Sequence, residues 1–161
     1  MTVTKLVQLL ESRGITTNSI ITMAIDNQAP YLNEIDYGEV ADYLYEILEK
    51  REVGNIISTM LFLDVVSEKR LDLGDEWNEL LLDIRLDNSL YGVDELMAFG
   101  ISGLYGTIAT TNYGYIDKQK PGLVGELDYT GKNTKTTTTT FADDVVGALV
   151  ASLAAKIAHN S

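Results

Sequence analysis

The chain has 161 residues, 45% hydrophobic and 22% charged, with a formal net charge of −12, two prolines and no cysteine. That length suits one domain with a real hydrophobic core, and the missing cysteines exclude disulfides and thiolate metal sites. Seventeen of the 24 acids but seven of the 12 basic residues lie in residues 1–90, an acidic face that repels nucleic acid and anionic lipid headgroups.

Strand-like alternation is scarce, so an all-α fold of about seven helices is expected, in a single domain over residues 1–161. No basic segment followed by an apolar one opens the chain, so a cytoplasmic protein without a secretory signal is expected. The first helix runs from about Thr4 to Arg13 and stops at Gly14, a natural C-terminal cap. A second, near Thr17 to Asn27, carries Ile20, Ile21, Ala24 and Ile25 on one side. A third starts near Asp36, with Val40, Tyr43, Leu44, Ile47 and Leu48 at helical spacing. Arg51 to Lys69 continues as helix, bent or separated near Gly54. Asp75 is expected to cap a fifth helix bearing Trp77, Leu80, Leu81, Ile84 and Leu86. To this point the pattern is a solvated bundle without chemistry.

Beyond Gly92 the character changes. Leu96 to Ile116 is a 21-residue run without a charge, long enough to cross a bilayer. Gly100, Gly103, Gly106, Gly114, the threonines and Asn112 favour a buried helix instead. Val93, Met97, Ile101, Leu104 and Ile108 would line its packed face, with the glycines opening a smooth side for a neighbour. Val145 to Ala155 is apolar nearly all round, which marks the central helix of the fold. Between these helices lie an Asp117 turn and a loop from Tyr129 through Lys135 to Thr140, read as a low-complexity mobile surface segment.

Acids interrupt these apolar stretches. Asp94-Glu95 and Asp143-Asp144 each open a buried helix, where the positive helix end favours them for structural reasons alone, Thr140 serving as the N-cap of the second. Asp117, with Lys118 and Lys120 before Pro121-Gly122, lies between the two and shifts the balance. Successive helical residues point about 100° apart, so one acid of each pair can face a metal while its neighbour meets a lysine or amide. Mg²⁺, held by few carboxylates plus phosphate oxygens, fits such a set, and hydrolysis of a phosphate ester fits the chemistry. Other signals are weak. Lys50, Arg51, Glu52, Asn55 and Asp64 read as helix-surface ion pairs, His159 as a frayed terminus, and the glycine run as no nucleotide loop.

Three segments, in this order, carry a resemblance: Tyr91-Gly92-Val93-Asp94-Glu95; Gly106-Thr107-Ile108 through Thr111-Asn112-Tyr113-Gly114-Tyr115-Ile116-Asp117-Lys118-Gln119-Lys120-Pro121-Gly122; and Phe141-Ala142-Asp143-Asp144-Val145-Val146-Gly147-Ala148. Together with Lys50-Arg51-Glu52-Val53, they make the chain resemble the phosphatidylglycerophosphatase A family, in its short soluble YutG-like branch. The resemblance implies a central helix ringed by others and Mg²⁺-dependent conversion of phosphatidylglycerophosphate to phosphatidylglycerol. It maps the family's site onto Asp94 and Glu95, Asp117 with Lys120 and Pro121, and Asp143 with Asp144. The expected metal ligands are Asp94, Asp117 and Asp143, with Glu95 or Asp144 as general base and Lys120 on the phosphate. The expected partner is a phosphate ester, a phospholipid or a smaller analogue, met with at most peripheral membrane contact and with no nucleic acid involved. Two other readings stay open: an all-helical nucleotide pyrophosphohydrolase, and a non-catalytic homo-oligomer in which the acids cap helices and the glycine face forms the interface.

Overall fold

The computed structural model describes residues 1–87, 91–134 and 136–160. Among them the chain forms nine α-helices and no strand: α1 (Val3–Ser12), α2 (Thr17–Gln28), α3 (Tyr37–Glu49), α4 (Arg51–Glu68), α5 (Asp75–Leu86), α6 (Val93–Ser102), α7 (Gly106–Gln119), α8 (Gly122–Asn133) and α9 (Ala142–Asn160). The amphipathic N-terminal helices follow their sequence pattern closely. Thr2, Thr16 and Asp36 cap α1, α2 and α3 by accepting an amide N–H three residues on, as short oxygen-bearing side chains do at helix starts.

α9 is the axis of the molecule. Every residue from Ala142 to Ala155 is buried, and α2, α3, α4, α6, α7 and α8 all pack on it. A helix apolar on all sides has no other stable place in water. Gly147 lets α7 approach closely, since a Cβ there would stand 3.4 Å from the Tyr113 ring and 3.6 Å from Ile116. The expected central helix is therefore present. No described helix is long and apolar enough to cross a membrane.

Several local expectations are corrected. The 93–116 stretch is not one helix, because it breaks at a 3-10 turn, Gly103–Tyr105, and restarts at Gly106 with φ +83°. Of the expected packed face, Ile101 is buried and Met97 packs against the core, but Val93, Leu104 and Ile108 are 38%, 45% and 42% exposed. Gly100 does meet Ile56, but a Cβ on Gly103 or Gly106 would touch nothing. The third and fourth helices separate at Lys50 (ψ 122°), and Gly54 lies inside α4. Gly74, not Asp75, is the N-cap of α5, and Asp75 is its first residue. Trp77 and Leu86 of that helix face solvent, while Leu81 and Ile84 are buried.

The largest correction concerns the threonines. Tyr129 to Asn133 is the end of α8, a helix the sequence did not announce, and Lys135 lies outside the described residues. Thr138, Thr139 and Thr140 are buried and anchored rather than mobile. The Thr139 and Thr140 hydroxyls donate to the Leu127 and Ile84 carbonyls at 2.7 and 2.5 Å. Arg13 holds Glu68 through two N–H donors and also donates to the Thr138 carbonyl, while Glu68 accepts the Thr138 N–H.

The cap of α9 is also not Thr140. Asp64, fully buried on α4 rather than in a surface ion pair, accepts the Phe141 N–H at 3.1 Å and the Ala142 N–H at 3.0 Å. A carboxylate donated by another helix thus satisfies amides that α9 leaves open. Replacing Asp64 by Ala strands the Phe141 amide and leaves the Ala142 amide only the Thr139 carbonyl at 3.1 Å, so a loss of about 1–3 kcal/mol is expected in denaturant unfolding, against a smaller loss for Asp64→Asn. Equal stability of Asp64→Ala and the parent would show that this cap is dispensable.

Candidate functional site

Four helix ends deliver the acidic cluster. Gly92, left-handed at φ +66°, turns the chain into α6 and places Asp94 and Glu95 in its first turn. Asp143 and Asp144 occupy the first turn of α9. Asp117 sits in the last turn of α7, which is therefore a helix end rather than a free turn. Lys120 closes α7 in the left-handed conformation, φ +48°, a geometry that costs a non-glycine residue about 1–2 kcal/mol. Pro121 is then the N-cap of α8.

These elements enclose a cleft of about 440 Å³. The six residues expected as metal ligands, base or phosphate contact line it, Asp94, Glu95, Asp117, Lys120, Asp143 and Asp144, as does Lys118, whereas Pro121 borders a neighbouring cavity. Residues separated by up to 50 positions thus share one cavity. His159 is exposed near the C-terminus, and Lys50, Arg51 and Asn55 border a different cavity.

Within the cleft the acids fall into two groups. Lys120 Nζ donates to Asp117 Oδ1 at 2.8 Å and to Asp143 Oδ2 at 2.9 Å, clamping α7 to α9. Asp94, Glu95 and Asp144 form the other group, with carboxylate oxygens within 4.8 Å of one another. Tyr113 donates its hydroxyl to Asp144 at 2.7 Å. Adjacent acids of α9 therefore diverge, Asp143 to the lysine and Asp144 to the carboxylate group, as helical geometry requires.

Asp94 Oδ1 is buried and has no hydrogen-bond partner. A buried polar atom left alone is rare and costly. The set around it is all oxygen, the donor type suited to Mg²⁺, Ca²⁺ or Mn²⁺. The residues present therefore fit a hard divalent cation, and Asp94, Glu95 and Asp144 could hold it.

Electrostatics agrees. Burial, then the hydrogen bond and charge of Glu95, pushes Asp94 up to about 8. Glu95, exposed and receiving that hydrogen bond, is shifted down. Burial, then the charge of Asp143, raises Asp144 to about 9. Asp143 rises only to about 6, because Lys120 offsets its burial. Burial alone would lower the Lys120 pKa, but Asp143 and Asp117 outweigh it and raise it, so the ammonium keeps its charge. Desolvation acts on each carboxylate, and only those near the lysine are relieved.

Sequence reading missed the supports. Asp87, Asp128 and Lys132 also line the cleft. Lys132 donates to Asp128 at 2.7 Å; their i,i+4 spacing was the available signal, hidden by reading Tyr129 onward as loop. Tyr113 lies one turn before Asp117, among residues read simply as buried helix. Gly125 is tightly constrained, because a Cβ there would lie 2.3 Å from the Lys120 carbonyl oxygen, a backbone atom. Only glycine lets α8 pass so close beneath the lysine.

Asp94 at about 8 and Asp144 at about 9 lie above the roughly 3.9 of an unfolded aspartate. Between about pH 4 and 8 the folded chain therefore binds more protons than the unfolded one, and stability falls as pH rises through that window. Asp64, raised to about 8 chiefly by burial, acts with the same sign. With chelator present, Tm is expected to be lower at pH 8 than at pH 5.5, and Asp94→Asn should flatten the decline. A Tm that rises over this range would contradict the burial argument.

Known proteins share this fold. The sequence model of phosphatidylglycerophosphatase A matches residues 36–159. The uncharacterized protein YutG of Bacillus subtilis is 38% identical over 154 residues, covering 94% of this chain and 87% of that protein. A solved protein of unknown function from Bacillus stearothermophilus superposes with a TM-score of 0.88 at 38% identity, covering 100% of this chain and 97% of that one. The low temperature requirement C protein from Listeria monocytogenes gives a TM-score of 0.86 at 36% identity, covering 98% and 95%. A match through the acidic helix starts, the lysine-bearing turn and the central helix leads to one conclusion: this chain belongs to the phosphatidylglycerophosphatase A family.

Proposed function

We propose that the chain is a Mg²⁺-dependent phosphatase that hydrolyses a phosphate monoester, phosphatidylglycerophosphate or a smaller analogue of it. The observation that carries this reading is the pairing, in one cleft, of an acidic triad holding an unpartnered buried oxygen with a lysine kept charged beside it. Seven carboxylates and three lysines line that cleft. So negative a site repels a phosphate dianion unless a divalent cation intervenes. The cation would supply Lewis-acid polarisation of the phosphoryl group.

Roles follow from the local environments. Asp94 and Asp144 are the buried ligands, the second fixed in orientation by the Tyr113 hydroxyl. Asp117 and Asp143, expected as ligands alongside Asp94, act in this reading by holding Lys120 instead. Lys120 receives a phosphoryl oxygen and offsets the charge that develops there. Glu95 is exposed at the edge of the triad with a low proton affinity. It is the carboxylate able both to complete the ligand set and to accept a proton from an attacking water. The left-handed backbone at Lys120, tolerated beside Gly125, presents the ammonium to the cleft at a local conformational cost.

Assays on phosphatidylglycerophosphate and on water-soluble esters, with Mg²⁺ and with chelator, test this reading. Lys120→Met is expected to lower kcat by about 10²–10³-fold, and Glu95→Gln by about 10²–10⁴-fold. Mg²⁺ should raise the Tm of the parent but not of Asp94→Asn, because only a cation bound to the folded state stabilises it. Ester hydrolysis undiminished by chelator, or by Asp144→Asn, would remove the metal from the reaction.

A further inference from the structure

A second cavity, of about 640 Å³, borders the same α7–α8 turn and shares no lining residue with the acidic cleft. Its wall includes Met23, Tyr31, Tyr115 and Pro121, and its size falls within the range of small-molecule sites. Tyr31 and Tyr115 are 78% and 60% exposed, two large rings left in water at its rim. Asn112 Nδ2 donates to Asn27 Oδ1 at 3.1 Å on the cavity lining. Among the described residues Asp26 is the one charged residue that lines it, so no described cation stands there to receive a second phosphate or a carboxylate. The chemistry suits an uncharged, mainly apolar group carrying a hydroxyl or ester oxygen.

The two cavities flank the same end of α7: Ile116 and Pro121 border the apolar one, and their chain neighbours Asp117 and Lys120 border the acidic one. Tyr115 borders the apolar cavity and Lys118 the acidic cleft. Residues three apart are neighbours on a helix surface, and three residues advance only about 5 Å. An ester whose phosphate lies at Lys120 can therefore run over Lys118 and Tyr115 into the second cavity. We propose that this cavity is the subsite for the apolar organic portion of the phosphate ester, with Tyr31 and Tyr115 as specificity-determining residues. The inference rests on the phosphatase reading and adds where the rest of the substrate goes.

The test is hydrolysis of n-alkyl phosphates from methyl to hexyl, with Mg²⁺, by the full chain and by Tyr31→Ser/Tyr115→Ser. For each methylene that enters the cavity, kcat/KM is expected to rise roughly threefold to fourfold. The double variant should lower the hexyl-to-methyl ratio of kcat/KM at least tenfold; both rings are exposed, so the fold survives their loss. Turnover that is flat with chain length, or a variant that lowers both esters equally, would overturn the subsite while leaving the phosphatase reading intact. If no ester turns over, that reading fails on its own, and 1-hexanol titration followed by NMR decides the cavity. Shifts of the Tyr31 and Tyr115 ring signals would support it, and unshifted rings would dismiss it.

Discussion

Asp64 joins the scaffold to the site. Its carboxylate, fully buried on α4, meets the Phe141 and Ala142 amides at the positive end of α9. Desolvation opposes a charge there, while two N–H donors and the helix dipole favour it. The cap fixes where α9 begins, and Asp143 and Asp144 follow within the first turn. Their directions are then set by helical geometry, one toward Lys120 and one toward Asp94. Arg13 and Glu68 reinforce the same junction through the Thr138 backbone, so α1, α4 and the approach to α9 are locked together.

The cleft itself works against stability. Asp94 and Asp144 are buried with too few positive partners, and each is shifted toward its neutral form. Lys120 is held in a backbone region that most residues avoid. Sites that store electrostatic and conformational strain are common where a ligand is to be received. A hard cation held by Asp94, Glu95 and Asp144 would relieve the carboxylate part of that strain directly.

Charge is divided by role across the molecule. The N-terminal helices carry most of the excess acid on their solvated sides, while α6 and α7 present an outer surface from Leu96 to Tyr115 without a charge. The apolar cavity opens on that uncharged surface, beside the acidic cleft. An amphiphilic ester would meet both environments within a single turn of α7.

Much of this was legible in the residues. The 3.6-residue period gave α1 to α5 nearly to their ends, and the unbroken apolar stretch from Val145 marked the central helix, because a helix without a polar face must be surrounded. Acid pairs set against apolar runs drew attention to six cleft residues, since buried charge needs a reason. The Asp128–Lys132 spacing was the one local hint of α8, but the sequence could not show the ordering of Thr138 to Thr140, whose hydroxyls and backbone pair with distant groups. Nor could it show that Asp64 caps α9 from 77 residues away, or that Lys120 takes Asp117 and Asp143 and leaves Asp94, Glu95 and Asp144 as the metal-competent group. Local pattern determines which faces must be buried and where helices can start. Which side chain meets which across the core depends on how the helices cross, and only the packed chain decides that.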